Sequence, residues 1–90
     1  MATVRIPTQL RSLTGDRAEV EVAGATVGAV LAALDAAHPG FGERLFDEQG
    51  ALRRFVNVFV DDEDLRFLEG LATPLTDRSV VSIVPAVAGG

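Results

Sequence analysis

The 90-residue sequence predicts an α+β domain in which a mixed sheet of four to five strands packs on one main helix. Three observations carry that reading. Short runs alternate apolar with polar residues near both ends and in the second half of the chain. A single stretch, residues 27–37, spaces its apolar side chains as a core-facing helix does. The 48% hydrophobic and 23% charged content is that of a folded globular chain and not of a disordered one. A domain of this size buries roughly 60–65% of its unfolded surface, enough for one core without covalent staples.

The elements follow in order. Residues 3–7 put Val4 and Ile6 on one face and Thr3 and Arg5 on the other, a half-buried strand. Leu10 and Leu13 continue the core through a short connection, and Thr14-Gly15-Asp16 signals a turn. Residues 17–22 alternate again, with Ala18, Val20 and Val22 inward and Glu19 and Glu21 outward, so the first two strands read as an antiparallel hairpin. Thr26 then caps a helix whose stripe is Val27, Val30, Leu31 and Leu34, with alanines supplying propensity. Gly28 is unfavourable inside a helix by about 1 kcal/mol, but it falls in the first turn. Pro39-Gly40 ends the helix, and His38 is read as a helix-end residue, not a ligand.

Residues 41–53 predict a short helical turn and a loop. Residues 54–60, RFVNVFV, form the most strand-like run. Val56, Val58 and Val60 share one face, and Phe55, Asn57 and Phe59 share the other. Two phenylalanines on an outward face suggest a surface for a partner, unless a loop of the same chain covers them. The acidic run Asp61–Asp64 reads as a solvated turn, lacking the glycine and spacing of a calcium loop. Leu65–Phe67 predicts a short strand, residues 70–75 a turn with a brief helical segment, and residues 80–84 a last strand apolar enough to lie centrally, with Val81 and Ile83 on one face.

Composition excludes several functions. There is no Cys and only one His, so disulfides, thiolate nucleophiles and multi-histidine metal sites are excluded. The net charge of −5 argues against a nucleic-acid partner. No apolar run approaches the roughly 20 residues of a membrane span, and the first residues lack the blocks of a signal peptide, so no membrane partner and a cytoplasmic location are expected. All eight cationic residues are Arg. A carboxylate activated on this chain would meet no lysine of its own, although an arginine-preferring genome explains the same absence.

The sequence ends on Pro85, Ala86, Val87, Ala88, Gly89 and Gly90. Pro85 cannot donate to a sheet ladder, so it should end the last strand. The expected division is a body of residues 1–84 and an extended tail of residues 85–90. Six extended residues reach about 20 Å, and glycine allows close approach to another group. By itself the tail is equally that of an ordinary frayed terminus.

If the first and last strands pair in parallel, the helix can lie across one sheet face, and that arrangement is the β-grasp of ubiquitin. With it, the segments IPTQLRSLTG, RFVNVFVDDEDLRFLEGLATPL and VSIVPAVAGG resemble the ubiquitin-like sulfur-carrier family, which includes the small subunit of molybdopterin synthase and the thiamine sulfur carrier, and are most similar to its cysteine-biosynthesis type. The resemblance implies a carrier, not an enzyme. It implies that a ubiquitin-activating-type adenylyltransferase uses ATP to adenylate the carboxylate of Gly90, and that a sulfur donor converts it to a thiocarboxylate. Residues 85–89 then thread partner active sites. For the cysteine branch it implies a cysteine synthase using pyridoxal phosphate (PLP) and O-phosphoserine, and a zinc metallopeptidase that releases the product. ATP, PLP and zinc belong to those partners, with no cofactor or metal bound by the chain itself. Phe55 and Phe59, with neighbouring arginines, are the candidate docking face, from alternation and not from a family motif. Carriage of sulfur for molybdopterin, thiamine or tRNA thiolation, conjugation to other proteins as a ubiquitin-like modifier, and a plain interaction module remain alternatives.

Overall fold

The computed structural model describes residues 1–85. Strands β1 (Ala2–Arg5) and β2 (Glu19–Val22) are joined by a 3-10 segment, Thr8–Thr14. Helix α1 (Val27–Ala37) and the short α2 (Phe41–Leu45) follow. Strands β3 (Val56–Val60) and β4 (Glu63–Asp64), two 3-10 turns at Leu65–Phe67 and Gly70–Ala72, and β5 (Val80–Pro85) complete the order.

The sheet order is β2-β1-β5-β3-β4. The chain's last strand therefore lies in the middle, as its run of Val80, Val81, Ile83 and Val84 predicts. It pairs in parallel with β1 through Val4↔Val81 and antiparallel with β3 through Val58↔Ile83. The first hairpin is antiparallel, with Val4 opposite Val20.

Side chains alternate across each strand, so one sheet face collects Ala2, Val4, Ile6, Val20, Val22, Val56, Val58, Val60, Val81 and Ile83, all buried. Val27, Val30, Leu31 and Leu34 of α1 are each 0% exposed and complete one core with that face. Thr26 caps the helix by accepting from the Ala29 N–H at 3.2 Å. Gly28 has a packing role. A Cβ there would lie 3.2 Å from the Leu71 carbonyl oxygen, so its absence lets α1 approach the 70–72 turn closely. Asp35 ties α1 to α2 by accepting from the Gly42 N–H at 2.8 Å and the Gly40 N–H at 3.3 Å.

Several boundaries differ from the sequence expectation. The first strand stops at Arg5, because Pro7 enters the 3-10 segment; Ile6 remains buried and its N–H reaches the Ala18 carbonyl at 2.7 Å. Ala18 is exposed, not inward, since β2 pairing begins only at Glu19. The third strand begins at Val56 because the Val56 N–H closes a turn onto the Arg53 carbonyl. The acidic run is only half a turn. Asp61 and Asp62 take φ of 49° and 73°, the left-handed pair that a two-residue hairpin connection requires, while Glu63 and Asp64 form β4. The Asp61 carboxylate accepts from the Val80 N–H at 3.0 Å and so ties the hairpin to the start of β5. Leu65–Phe67 is a 3-10 turn and not a strand, because Asp64 caps it by accepting from the Arg66 N–H at 2.8 Å. Pro85 belongs to β5, one residue beyond the expected end of the body.

Replacing Leu31 by Ala removes a fully buried side chain from the centre of this core, and urea unfolding should show a loss of about 2–5 kcal/mol. Thr26→Ala should cost about 1 kcal/mol in the same measurement, the usual worth of a helix cap.

Candidate functional site

Two features of the sequence carry possible function: the chain's exit from the sheet and the outward face of β3. Both depend on the middle position of β5. Its pairing with β1 ends at Ser82, whereas its pairing with β3 continues to Val56↔Pro85. The last residues of β5 therefore have a ladder on one side only, a position where the missing N–H of proline is tolerated. Pro85, the last described residue, lies beside Val56 at the end of the β3–β5 ladder. Residues 86–90, and with them the expected roles of Ala86, Val87, Ala88, Gly89 and Gly90, lie outside the described residues.

The outward face of the sheet surrounds this exit. Register places Phe59 opposite Ser82 and Asn57 opposite Val84. Val84 is 46% exposed and is a diagonal neighbour of Phe59. Phe55 is also 46% exposed, but it lies in the turn before β3 and not in the strand. Phe59 is half-buried. The structure thus keeps Phe55 and Phe59 outward and adds Val84 between them, immediately before the exit. Arg66 reaches the same face, where its guanidinium donates to the Asn57 side-chain oxygen at 2.8 Å. Further along, Arg5 and Glu19 form an exposed ion pair at 3.4 Å.

Sequence reasoning missed Phe67, the most exposed large apolar residue among those described, at 86%. Strand alternation would place Phe67 on the same face as the buried Leu65. In a 3-10 turn each residue advances by a third of a turn, so the two side chains diverge, and Leu65 goes inward while Phe67 goes out. The signal was Asp64 two residues before Arg66, a local cap that favours a turn over a strand.

Among the described residues, no group of three or more His, Cys, Asp and Glu side chains is placed to hold a metal ion. No buried side-chain polar atom among them lacks a partner. His38 is half-buried at the end of α1 and closes it through its backbone N–H to Leu34 at 2.8 Å. Among the described residues, no helix is long and apolar enough to cross a membrane.

The same architecture recurs in known proteins. The ThiS family model matches residues 4–90. The sulfur carrier protein CysO of Mycobacterium tuberculosis is 52% identical over 90 residues, covering 98% of this chain and 97% of the relative. Small archaeal modifier protein 3 of Haloferax volcanii is 44% identical over 66 residues, covering 73% of this chain and 71% of that protein. Among solved structures, a chain from the Amycolatopsis orientalis BexX/CysO complex superposes with a TM-score of 0.92 at 46% identity over 100% of both chains. The sheet order and the superposition agree on the β-grasp fold.

The outward residues should separate by their stability cost. Phe67→Ser should change unfolding free energy by less than about 0.5 kcal/mol, as for an exposed surface position. Phe59→Ser should cost about 1–2 kcal/mol, because half of its surface is already packed. Equal costs in urea unfolding would contradict the placement of these two rings.

Proposed function

The chain belongs to the ThiS family, and on that premise we propose that it is a sulfur carrier for cysteine biosynthesis whose working group is the carboxylate of Gly90. The observation that carries this reading is the extent of the likeness. The family match runs through Gly90, and the CysO relative, named a sulfur carrier, is matched over nearly all of both chains.

The chemistry follows from what each residue supplies. A Gly90 carboxylate oxygen attacks the α-phosphorus of ATP on a ubiquitin-activating-type adenylyltransferase, and pyrophosphate leaves. Sulfide supplied by a donor then attacks the carbonyl carbon, AMP leaves, and the carrier holds a thiocarboxylate. Sulfur borne on the main chain explains how a carrier functions without Cys. Gly89 and Gly90 have no side chain to obstruct attack on the carbonyl or passage into a narrow cleft. On a PLP-dependent cysteine synthase the thiocarboxylate sulfur replaces the phosphate of O-phosphoserine. An acyl shift from sulfur to the amino group leaves cysteine joined to the carrier by a peptide bond, which a zinc metallopeptidase hydrolyses. The carrier contributes position: a rigid sheet to be gripped, with the reacting group on an arm rooted at Pro85 in β5. Phe55, Phe59 and Val84, around that root, form the docking face. In the BexX/CysO complex a relative of this chain is bound to a protein partner, which supports a role exercised through docking.

One observation favours a second reading. The 44% identity to a small archaeal modifier protein supports conjugation of Gly90 to amines of other proteins. Intact mass of the protein recovered from its own cells distinguishes the two. A carrier yields a species with one carboxyl oxygen exchanged for sulfur, whereas a modifier yields higher-mass conjugates. Deleting Gly90 should abolish the sulfur-bearing species and leave the folded body unchanged. Its persistence without Gly90 would overturn the assignment. Phe55→Ser with Phe59→Ser should weaken binding to the activating enzyme about tenfold, a modest loss for two apolar contacts; unchanged affinity would remove them from the docking face.

A further inference from the structure

We propose that the free edge of β2 receives an extended, basic segment of a partner protein, which adds to the sheet as a further strand. Strand β2 is the outermost strand on the side away from β4. It has β1 on one side and, among the described residues, no strand on the other.

Register decides which backbone groups that edge offers. The Ile6 N–H donates to the Ala18 carbonyl at 2.7 Å, so these two residues face each other at a bonded site of the β1–β2 ladder. Facing pairs in an antiparallel ladder alternate between bonded and unbonded. Val4↔Val20 and Ala2↔Val22 are therefore bonded pairs, and Arg5↔Glu19 and Thr3↔Glu21 are not. Thr3 agrees with this phase, since its N–H turns away from β2 to the Ser79 carbonyl at 3.0 Å. By the same alternation Glu19 and Glu21 turn their N–H and C=O groups away from β1. Among the described residues, no turn, loop or other element bonds its backbone to either of them. Ala18, Glu19, Glu21 and Ala23 are all exposed, so this edge reaches solvent. An open row of such groups is the template an added strand uses.

Charge and the neighbouring helix say which strand fits. The Glu19 and Glu21 side chains share the outward face. Glu19 meets Arg5 only in an exposed ion pair, a weak attachment, and Glu21 has no ion-pair partner among the described residues. A second copy of this chain is a poor occupant. An antiparallel β2–β2 pairing about Val20 sets Glu19 against Glu21 twice, and like charges directly opposite destabilise a pair. A strand with Lys or Arg at those positions turns the repulsion into attraction, and the net charge of −5 favours its approach. On the other face the added strand would pass beside α1, which packs against the 70–72 turn and against β2. Gly28 faces that turn, where a Cβ would lie 3.3 Å from the Leu71 Cβ. At about 100° per residue, Ala33 and Ala37 then lie on the flank toward β2. Asp35, the one charged residue of α1, lies on the Gly28 flank and is held by the Gly40 and Gly42 N–H groups. The flank beside β2 is thus small and apolar, and it admits the alternate apolar side chains of an incoming strand. This edge is at the far side of the sheet from β3 and Pro85, so it does not rest on the sulfur-carrier reading.

The test uses capped heptapeptides in NMR titrations of the whole protein. One alternates lysine and valine; a second replaces lysine by glutamate; a third is the lysine peptide with N-methyl groups along the edge that would pair. The lysine peptide should slow exchange of the Glu19 and Glu21 amide hydrogens and leave those of Val20 and Val22, already bonded to β1, little changed. Glu21 is exposed, so the Glu21→Lys protein should fold and bind the lysine peptide at least about tenfold more weakly, as reversal of a facing charge predicts. The glutamate and N-methylated peptides should lose affinity comparably. The proposal falls if no peptide binds, or if the glutamate or N-methylated peptide binds as well as the lysine one. It falls if the Glu19 and Glu21 amides are already protected in the dilute free protein, which would mean a covered edge. It falls too if they become protected by concentration-dependent self-association without peptide, which would make a second copy the occupant.

Discussion

The pairing of β5 between β1 and β3 is the constraint on which the structure depends. Val81 and Ile83 are buried at 0% and 3%, and their strand supplies ladders to both neighbours. Without it, the β1–β2 and β3–β4 hairpins are separate two-stranded pieces, each marginal in water. The parallel β1–β5 contact closes nearly the whole chain, from Val4 to Val81. Loop closure of that length costs only slowly more than a shorter one, and the core face gained by joining the hairpins offsets it. Helix α1 is the other half of the same arrangement, since its four fully buried residues have nothing to pack on until β5 has joined the hairpins.

A strand that is both last in sequence and central in space has a functional consequence. The last described residues belong to the best-supported element of the fold and not to a fraying edge. The reacting group of a carrier must be delivered to enzymes that perform chemistry on it, and its position is only as defined as the root of its arm. The exposed Val84 and the aromatic rings of Phe55 and Phe59 lie around that root. On the proposed function, a partner that grips this face gains both area and a fixed origin for the residues that follow Pro85.

The outward face is apolar and sits where the sheet ends lengthwise. The lateral edge at β4 is closed by different means. Strand β4 is only two residues long, and a short edge strand is a common device against uncontrolled pairing. Beyond it Val56 and Val58 are 3% and 1% exposed, so the backbone of β3 is covered there.

Much of this was legible without coordinates. The stripe of Val27, Val30, Leu31 and Leu34 and the alternation of Val56, Val58 and Val60 identify their elements, because side-chain period is a local property of the backbone. The apolar character of residues 80–84 placed that strand at the middle of the sheet. The terminal glycines by themselves were equally those of a frayed end, and chemistry on the main chain was implied only by the family resemblance, at residues outside those described. Tertiary structure decided the rest. It set strand ends, since the loss of the Val56 N–H to Arg53 and the entry of Pro7 into a 3-10 turn depend on neighbouring turns. It turned Phe67 outward while Leu65 stayed in, a choice between two local conformations that alternation alone does not make. It gathered Arg53, Arg54 and Arg66 at one cleft, because the lateral order of strands is a long-range property that no local pattern encodes.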